Sequence, residues 1–295
     1  MSSSNPRPDR ASASSRLLLG AAMRIWYLLS LPFAIAIILG SSRIHPAYRV
    51  GWFRRSVLGF RMFWNKLRVP TGTNYKAHLA MALKILEIPP EVEGDVVECG
   101  CWKGGSSANL SLVCRLAGRR LVIYDSFLGL PEAKAGDREG AGYSAGDYQG
   151  TEDEVRANIT RCGAIECCEF VNGWFDRTLP DSTGPIVLLF LDVDLEDSLN
   201  TCVKHLWPRL VDGGYLFTDE CVALDYVALF WSERWWRENF DRTPPGLIGA
   251  GTGLPLGEFY IGPWSELEAH PGQHASTGAY TRKSMSGFWD YYPED

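Results

Sequence analysis

Val96-Val-Glu-Cys-Gly-Cys-Trp-Lys-Gly-Gly-Ser-Ser107 carries two apolar residues into an acid and then into a glycine-rich turn. Such a stretch reads as a β-strand delivering its chain to a nucleotide-sized ligand. Gly100, Gly104 and Gly105 remove side chains that would hold a ligand off the backbone, and Ser106-Ser107 can start a helix whose free N–H groups face that ligand. Glycine turns of this kind also occur with no ligand, so the order of the downstream strands and acids gives this one its weight.

Working outward, Leu121 to Asp125 is a second apolar run that ends in an acid. Asn74 to Leu86 has helical apolar spacing and is stopped by Ile88-Pro-Pro90; Ser106 to Leu116 and Glu152 to Cys162 read as helices. Cys168 to Asn172, the aliphatic Ile186 to Leu191 and Tyr215 to Thr218 complete the strands, with a helix over Ser198 to Leu210 and another, aromatic, over Cys221 to Phe240. Strands alternating with helices predict an α/β fold, a doubly wound and mostly parallel Rossmann-like sheet. Between them Phe127 to Gly150 is long, polar and glycine-rich, as functional loops are.

Charge divides the 295 residues. Residues 1–70 hold eleven Lys/Arg against one Asp, whereas the rest holds eighteen against thirty-four Asp/Glu. An acidic body argues against nucleic acid as the principal partner, and a basic, aromatic leader suits an anionic membrane surface. Residues 1–16 read as a disordered tail, 17–70 as an apolar then basic-aromatic helical leader, and 71–295 as the body. Ile25 to Gly40 lacks charge but is short for a span; with 17–23 it admits a tilted anchor, an interfacial helix or an ordinary packed helix. Trp52, Phe53, Phe60, Phe63 and Trp64 alternate with Arg54, Arg55, Arg61, Lys66 and Arg68, as in a helix resting on headgroups. Eight cysteines without a CxxC pair suit reduced, buried thiols, and with them a cytoplasmic body anchored to the inner membrane face by residues 17–40.

Acids close four strands: Glu98, Asp125, the Asp192/Asp194 pair, and Asp219-Glu220. Each alone could be a helix cap, but ligands of such sheets sit beyond the carboxyl ends of the strands. Asp125 is placed to accept from both hydroxyls of a ribose. The first turn lacks GxGxxG spacing and so suits a cofactor without a pyrophosphate, such as S-adenosylmethionine. Asp192, Asp219 and Glu220 form a set of hard oxygen donors fitted to Mg2+.

At these residues the sequence resembles the macrocin O-methyltransferase family, class I S-adenosylmethionine-dependent enzymes that methylate sugar hydroxyls and use magnesium. The matching runs are Val97 to Ser106, Asp125-Ser-Phe-Leu-Gly-Leu-Pro131, Gly173-Trp-Phe-Asp-Arg-Thr-Leu-Pro180, Leu191-Asp-Val-Asp-Leu-Glu-Asp-Ser198 and Leu210 to Asp219. The resemblance implies a seven-stranded class I methyltransferase sheet. It implies that Glu98, Gly100, Gly104, Gly105 and Ser106 hold the methionine part of the cofactor, with Asp125, Ser126, Trp174 and Phe175 around the remainder. It implies Asp192, Asp219 and Glu220 as metal ligands. The family has Asp-Asp where this chain has Asp219-Glu220, and the segments containing Thr243-Pro-Pro-Gly and Gly251-Thr-Gly-Leu-Pro-Leu-Gly257 depart from the family ending.

The expected reaction is transfer of a methyl group to a hydroxyl of a sugar or glycosylated small molecule, with Asp192 and Asp194 as catalytic residues. Catechol-type enzymes place a lysine three residues after the first metal Asp; here Leu195 stands there, so that base is absent, and Asp194 is the candidate base, with Glu196 behind it. His205 lies inside a helix and reads as structural. Two other readings share the sheet: a nicotinamide-dependent oxidoreductase, and a catalytically silent membrane-tethered binding protein. The acceptor is a small molecule or a glycan, and a homo-oligomer is compatible with the sequence.

Overall fold

The computed structural model describes residues 13–134, 143–219, 224–250, 258–261 and 278–284. Five parallel strands, β1 (Asp95–Cys99), β2 (Leu121–Asp125), β3 (Cys168–Asn172), β4 (Ile186–Leu191) and β5 (Leu210–Thr218), lie in the order β3-β2-β1-β4-β5. β6 (Leu247–Ala250), β7 (Glu258–Ile261) and β8 (Ala279–Arg282) extend the β5 edge in the order β8-β6-β7, each pair antiparallel. The described sheet thus has eight strands rather than the expected seven. The chain winds from β1 outward to β3 and then returns to the other side of β1 as β4. That reversal makes a crevice between the carboxyl ends of β1 and β4.

Alternation along each strand divides the core. Val96, Ile123 and Phe190 face one helical layer, while Val97, Tyr124, Leu189 and Leu191 face the other. The first layer holds α3 (Tyr75–Glu87), α4 (Gly105–Ala117) and α5 (Glu152–Cys162). Its core also takes Ala34 and Ile38 from α1 (Ala13–Gly40), and Leu58, Met62 and Phe63 from α2 (Trp52–Lys66). On the opposite side lie α6 (Phe175–Thr178) and α7 (Glu196–Leu206).

The apolar segment of the leader is therefore one packed helix. Ser30, Ala34 and Ile38 of α1 are fully buried, and Arg55 caps the helix end by donating to the carbonyls of Ile38, Leu39 and Ser41. Among the described residues no helix is long and apolar enough to cross a membrane, so the spanning anchor over residues 17–40 is not supported.

Two further expectations differ from the structure. The helix expected over Ser198 to Leu210 ends at Leu206, and after a 3-10 turn (Trp207–Arg209) Leu210 already belongs to β5, where it pairs with Ile186. The aromatic segment is not one helix either: α8 (Leu224–Val227), a 3-10 turn and α9 (Glu233–Phe240) succeed one another, because the Ser232 hydroxyl accepts from Trp235 N and starts a new helix.

A buried polar chain locks the first layer. Asn65 of α2 donates to Asn109 of α4 (2.9 Å) and to Cys162 O at the end of α5 (3.1 Å). Asn109 Nδ2 lies 2.8 Å from His78 Nδ1, and His78 Nε2 lies 2.6 Å from Thr73 Oγ1. Because the amide can only donate there, Nδ1 accepts and the neutral ring carries its proton on Nε2. Burial, followed by the nearby Lys66 charge, lowers the His78 pKa to about 3 from 6.5. Between those values the unfolded chain binds the proton and the native protein does not, so stability falls as pH drops below 6.5. In urea unfolding at pH 7 and pH 5 the native protein should lose about 2 kcal/mol relative to His78→Gln over that interval. An equal pH dependence in both proteins would contradict the neutral assignment.

Candidate active site

A cavity of about 250 Å³ opens in the β1/β4 crevice. Its wall includes Gly100, Cys101, Trp102 and Ser106 from the first turn and helix, Asp125 and Ser126 beyond β2, and Gly173, Trp174 and Phe175 beyond β3. Asp192, Val193, Asp194 and Ser198 line it beyond β4, and Asp219 beyond β5.

Asp125 is fixed by two backbone donors at 2.7 Å, Cys101 N to Oδ2 and Phe127 N to Oδ1. A carboxylate has about four acceptor sites, so two remain for hydroxyls of a ligand. Ser126 Oγ donates to Gly129 O (3.0 Å) and accepts from Leu128 N (3.1 Å), which curls the loop back over the cavity. Gly100 is required by crowding: a Cβ there would sit 1.8 Å from Asp192 O, and its φ is +83°. Asp192 N in turn donates to Cys99 O and Asp219 N to Leu191 O. The ends of β1, β4 and β5 are thus laced together by backbone bonds, and Asp192 and Asp219 reach the cavity side by side.

Strain concentrates here. Trp102, Tyr148 and Asp194 are cavity-lining non-glycine residues with φ between 45° and 57°, a backbone region costly for L-residues. Trp102 meets Tyr148 edge to face at 5.5 Å, so the long loop over residues 127–150 supplies an aromatic wall. Gly150 permits that approach, since its Cβ would lie 2.1 Å from Trp102 O.

Three expected cofactor residues stand behind the cavity rather than on its wall. Gly104 is left-handed at the start of α4, where a Cβ would meet Val155, and Gly105 leaves room for Thr71. Both serve helix packing. Glu98 is fully buried, and neither of its oxygens has a partner in hydrogen-bonding geometry. Burial raises its pKa to about 7, although Ser106 and Ser107 lie close enough to favour the ionised form. Glu220 lies outside the described residues, as does Cys221. Leu195 is buried, and neither it nor His205 borders the cavity. Tyr226, Phe230 and Trp236 are buried core residues, and no described member of the aromatic segment borders the cavity.

The leader contributes a residue to this end of the sheet. Lys66, which its spacing places on a membrane-facing surface, instead turns inward and donates to Thr71 O and Thr73 O (2.9 Å to the latter). Burial lowers its pKa, while Asp219 and Asp192 pull it back up, so the ammonium offsets the charge of the paired acids. Nothing in the sequence pattern separates Lys66 from its arginine neighbours except its place at the helix end, next to the turn that lines the cavity.

A doubly wound sheet with its cavity at the reversal of strand order, acids at the strand ends and a short glycine turn defines a class I methyltransferase-like domain. The family model of macrocin O-methyltransferase (TylF) matches residues 71–242, and the chain belongs to that family. It is 36% identical over 163 residues to the 8-demethyl-8-(2,3-dimethoxy-alpha-L-rhamnosyl)-tetracenomycin-C 4'-O-methyltransferase of Streptomyces olivaceus, a match that covers 49% of this chain and 62% of the relative. It is 33% identical over 165 residues to the demethyldecarbamoylnovobiocin O-methyltransferase of Streptomyces niveus, with the same shares covered. The chain spans less than two thirds of the length of either relative. The solved O-methyltransferase NovP shares the fold, with a TM-score of 0.55 and 23% identity over 88% of this chain and 99% of that one. None of these matches supports the nicotinamide or the non-catalytic reading.

An ionisable acid that is neutral in the native state and charged in the unfolded one withdraws stability as pH rises from 4.5 to about 7. Relative to the native sequence, Glu98→Gln should therefore gain on the order of 3 kcal/mol in ligand-free stability between pH 4.5 and pH 8. Denaturant unfolding at both values reads this directly; a pH-independent difference would show that folding leaves the Glu98 pKa unshifted.

Proposed function

We propose that this chain is an S-adenosylmethionine-dependent O-methyltransferase acting on a sugar hydroxyl of a glycosylated small molecule. The observation that carries this reading is one cavity bordered both by the doubly held Asp125 and by Asp192, Asp194 and Asp219. The relatives' named activities support the reading: 4'-O-methylation of a rhamnosyl tetracenomycin, a glycosylated acceptor, and O-methylation of demethyldecarbamoylnovobiocin.

The residues fit the cofactor. Asp125 offers acceptors to ribose hydroxyls, Gly100 borders the cavity where it closes against Asp192, and Trp174 and Phe175 present aromatic surface to the ligand. Glu98, buried behind Ser106, would become the counter-charge for the ammonium of the methionine part, since a bound cation favours its ionised form. Among the described residues no group of three or more His, Cys, Asp or Glu could hold a metal ion; Asp192 and Asp219 would need Glu220, which lies outside those residues, to complete the hard oxygen set that Mg2+ takes. When bound, the sulfonium supplies an activated methyl group and the cation draws charge from the acceptor oxygen.

The chain's own task is alignment and proton removal. Asp194, held in a left-handed backbone beyond β4, accepts the hydroxyl proton; Asp192 and Asp219 orient the acceptor side; Trp102 and Tyr148 keep water from it. Lys66 moderates the repulsion between the acids before a cation binds.

Calorimetry of the full chain with S-adenosylmethionine tests the reading. Binding should be lost in Asp125→Ala, whereas Asp192→Ala should retain it and lose Mg2+ binding. Asp194→Asn should bind both and lower kcat by about 100-fold or more on a glycoside acceptor. A folded protein that does not bind S-adenosylmethionine would overturn the proposal.

A further inference from the structure

The helices α1 and α2 leave an unusual surface. On α2, Leu58, Met62 and Phe63 are buried in the core, yet the opposite side is apolar as well: Phe53, Val57, Phe60, Trp64 and Leu67 succeed one another at three- and four-residue intervals, and all are exposed. Such spacing puts them on one face. α1 repeats the arrangement. Ser30, Ala34 and Ile38 are buried, while Ile25, Leu28, Leu29 and Phe33 are each more than half exposed. A water-soluble surface helix carries charge on its outward face, whereas these two carry hydrocarbon and indole, and they pack against each other.

Arginines border this face. Arg54 and Arg61 lie seven residues apart along one flank of α2, and Arg68, just beyond its end, stacks on Trp64. Arg54 and Arg61 join Arg115 of α4 around a groove of about 150 Å³ that is otherwise apolar, floored by Phe53, Val57 and Leu112. Residues 1–70 hold eleven cations and one acid, so no carboxylate of the leader's helices neutralises the flank.

We propose that the outer face of α1 and α2 docks on an anionic lipid bilayer, lying in the plane of the interface rather than crossing it. The aromatic and aliphatic stripe enters the headgroup and acyl boundary, and Arg54 and Arg61 take lipid phosphates, Arg115 being paired with Glu166 at 3.4 Å. Charge selects lipid over a second copy of this chain, because a two-fold contact would bring two arginine flanks together. The inward commitments of both helices hold them flat: α1 is tied to Tyr75 through Ser30 and to α2 through Arg55.

Flotation of the full chain with vesicles tests this without reference to methyl transfer. Vesicles of phosphatidylcholine with phosphatidylglycerol should carry the protein, and phosphatidylcholine alone should carry about tenfold less, with binding reduced by salt. Phe60→Glu/Trp64→Glu alters only exposed side chains and should abolish flotation while circular dichroism stays native; Arg54→Glu should weaken it selectively on anionic vesicles. Equal flotation of native and double-variant protein would overturn the proposal. So would a folded chain that never floats, or one whose variant loses a dimer measured by light scattering instead.

Discussion

The contact on which the site depends is the approach of Gly100 to the Asp192 carbonyl, too close for any Cβ. It brings the turn after β1 against the end of β4, where Asp192 N is already bonded to Cys99 O. That closure sets the rest of the cavity. Cys101 N is left pointing at Asp125, which it fixes; Asp192 is delivered beside Asp219 through the register of β4 with β5; and Asp194, two residues on, is forced into a left-handed backbone. An alanine at position 100 would separate the cofactor end of the cavity from the acid cluster. A glycine chosen for closure of two strands is a stronger constraint than one chosen merely to admit a ligand.

Gathering carboxylates at one end of a sheet has an electrostatic cost, and the chain meets it in different ways on its two sides. Behind the turn, burial pushes Glu98 toward its neutral form. Beside β4 and β5, Lys66 brings a cation from outside the segment matched by the family model, which begins at residue 71. Lys66 is placed by the same helix whose Asn65 anchors the buried chain through Asn109 and His78 to Thr73. The helix α2 thus carries a cation whose field reaches the acids of the cavity.

Much of this is legible in the residues, and the departures have physical causes. The strands Leu121–Asp125, Cys168–Asn172 and Ile186–Leu191 coincide with the expected ones because an apolar run bounded by turn residues admits little else. Leu210 reads as helix because a buried strand start and a buried helix end have the same composition; its pairing with Ile186 is a tertiary fact. The extra antiparallel strands beyond β5 are short and lie among glycine and proline, where local pattern is weak. Acids at strand ends can be read singly, but Glu98 faces the core and Asp125 the cavity, a distinction of pleat and turn geometry that spacing alone does not carry. Lys66 misleads for the converse reason: composition marks the whole helix as basic and aromatic, and only packing shows which cation turns inward.

The helix α2 joins three environments. Its C-terminal Lys66 reaches toward the acids, Leu58, Met62 and Phe63 fill the core, and Phe60 with Trp64 faces outward. A helix is stiff over fifteen residues, and this one is clamped at Asn65 and Arg55. Force applied to its outer face is consequently borne by the same element that positions the ammonium beside Asp192 and Asp219. The face proposed to dock and the cation whose field reaches Asp192 and Asp219 therefore belong to one helix.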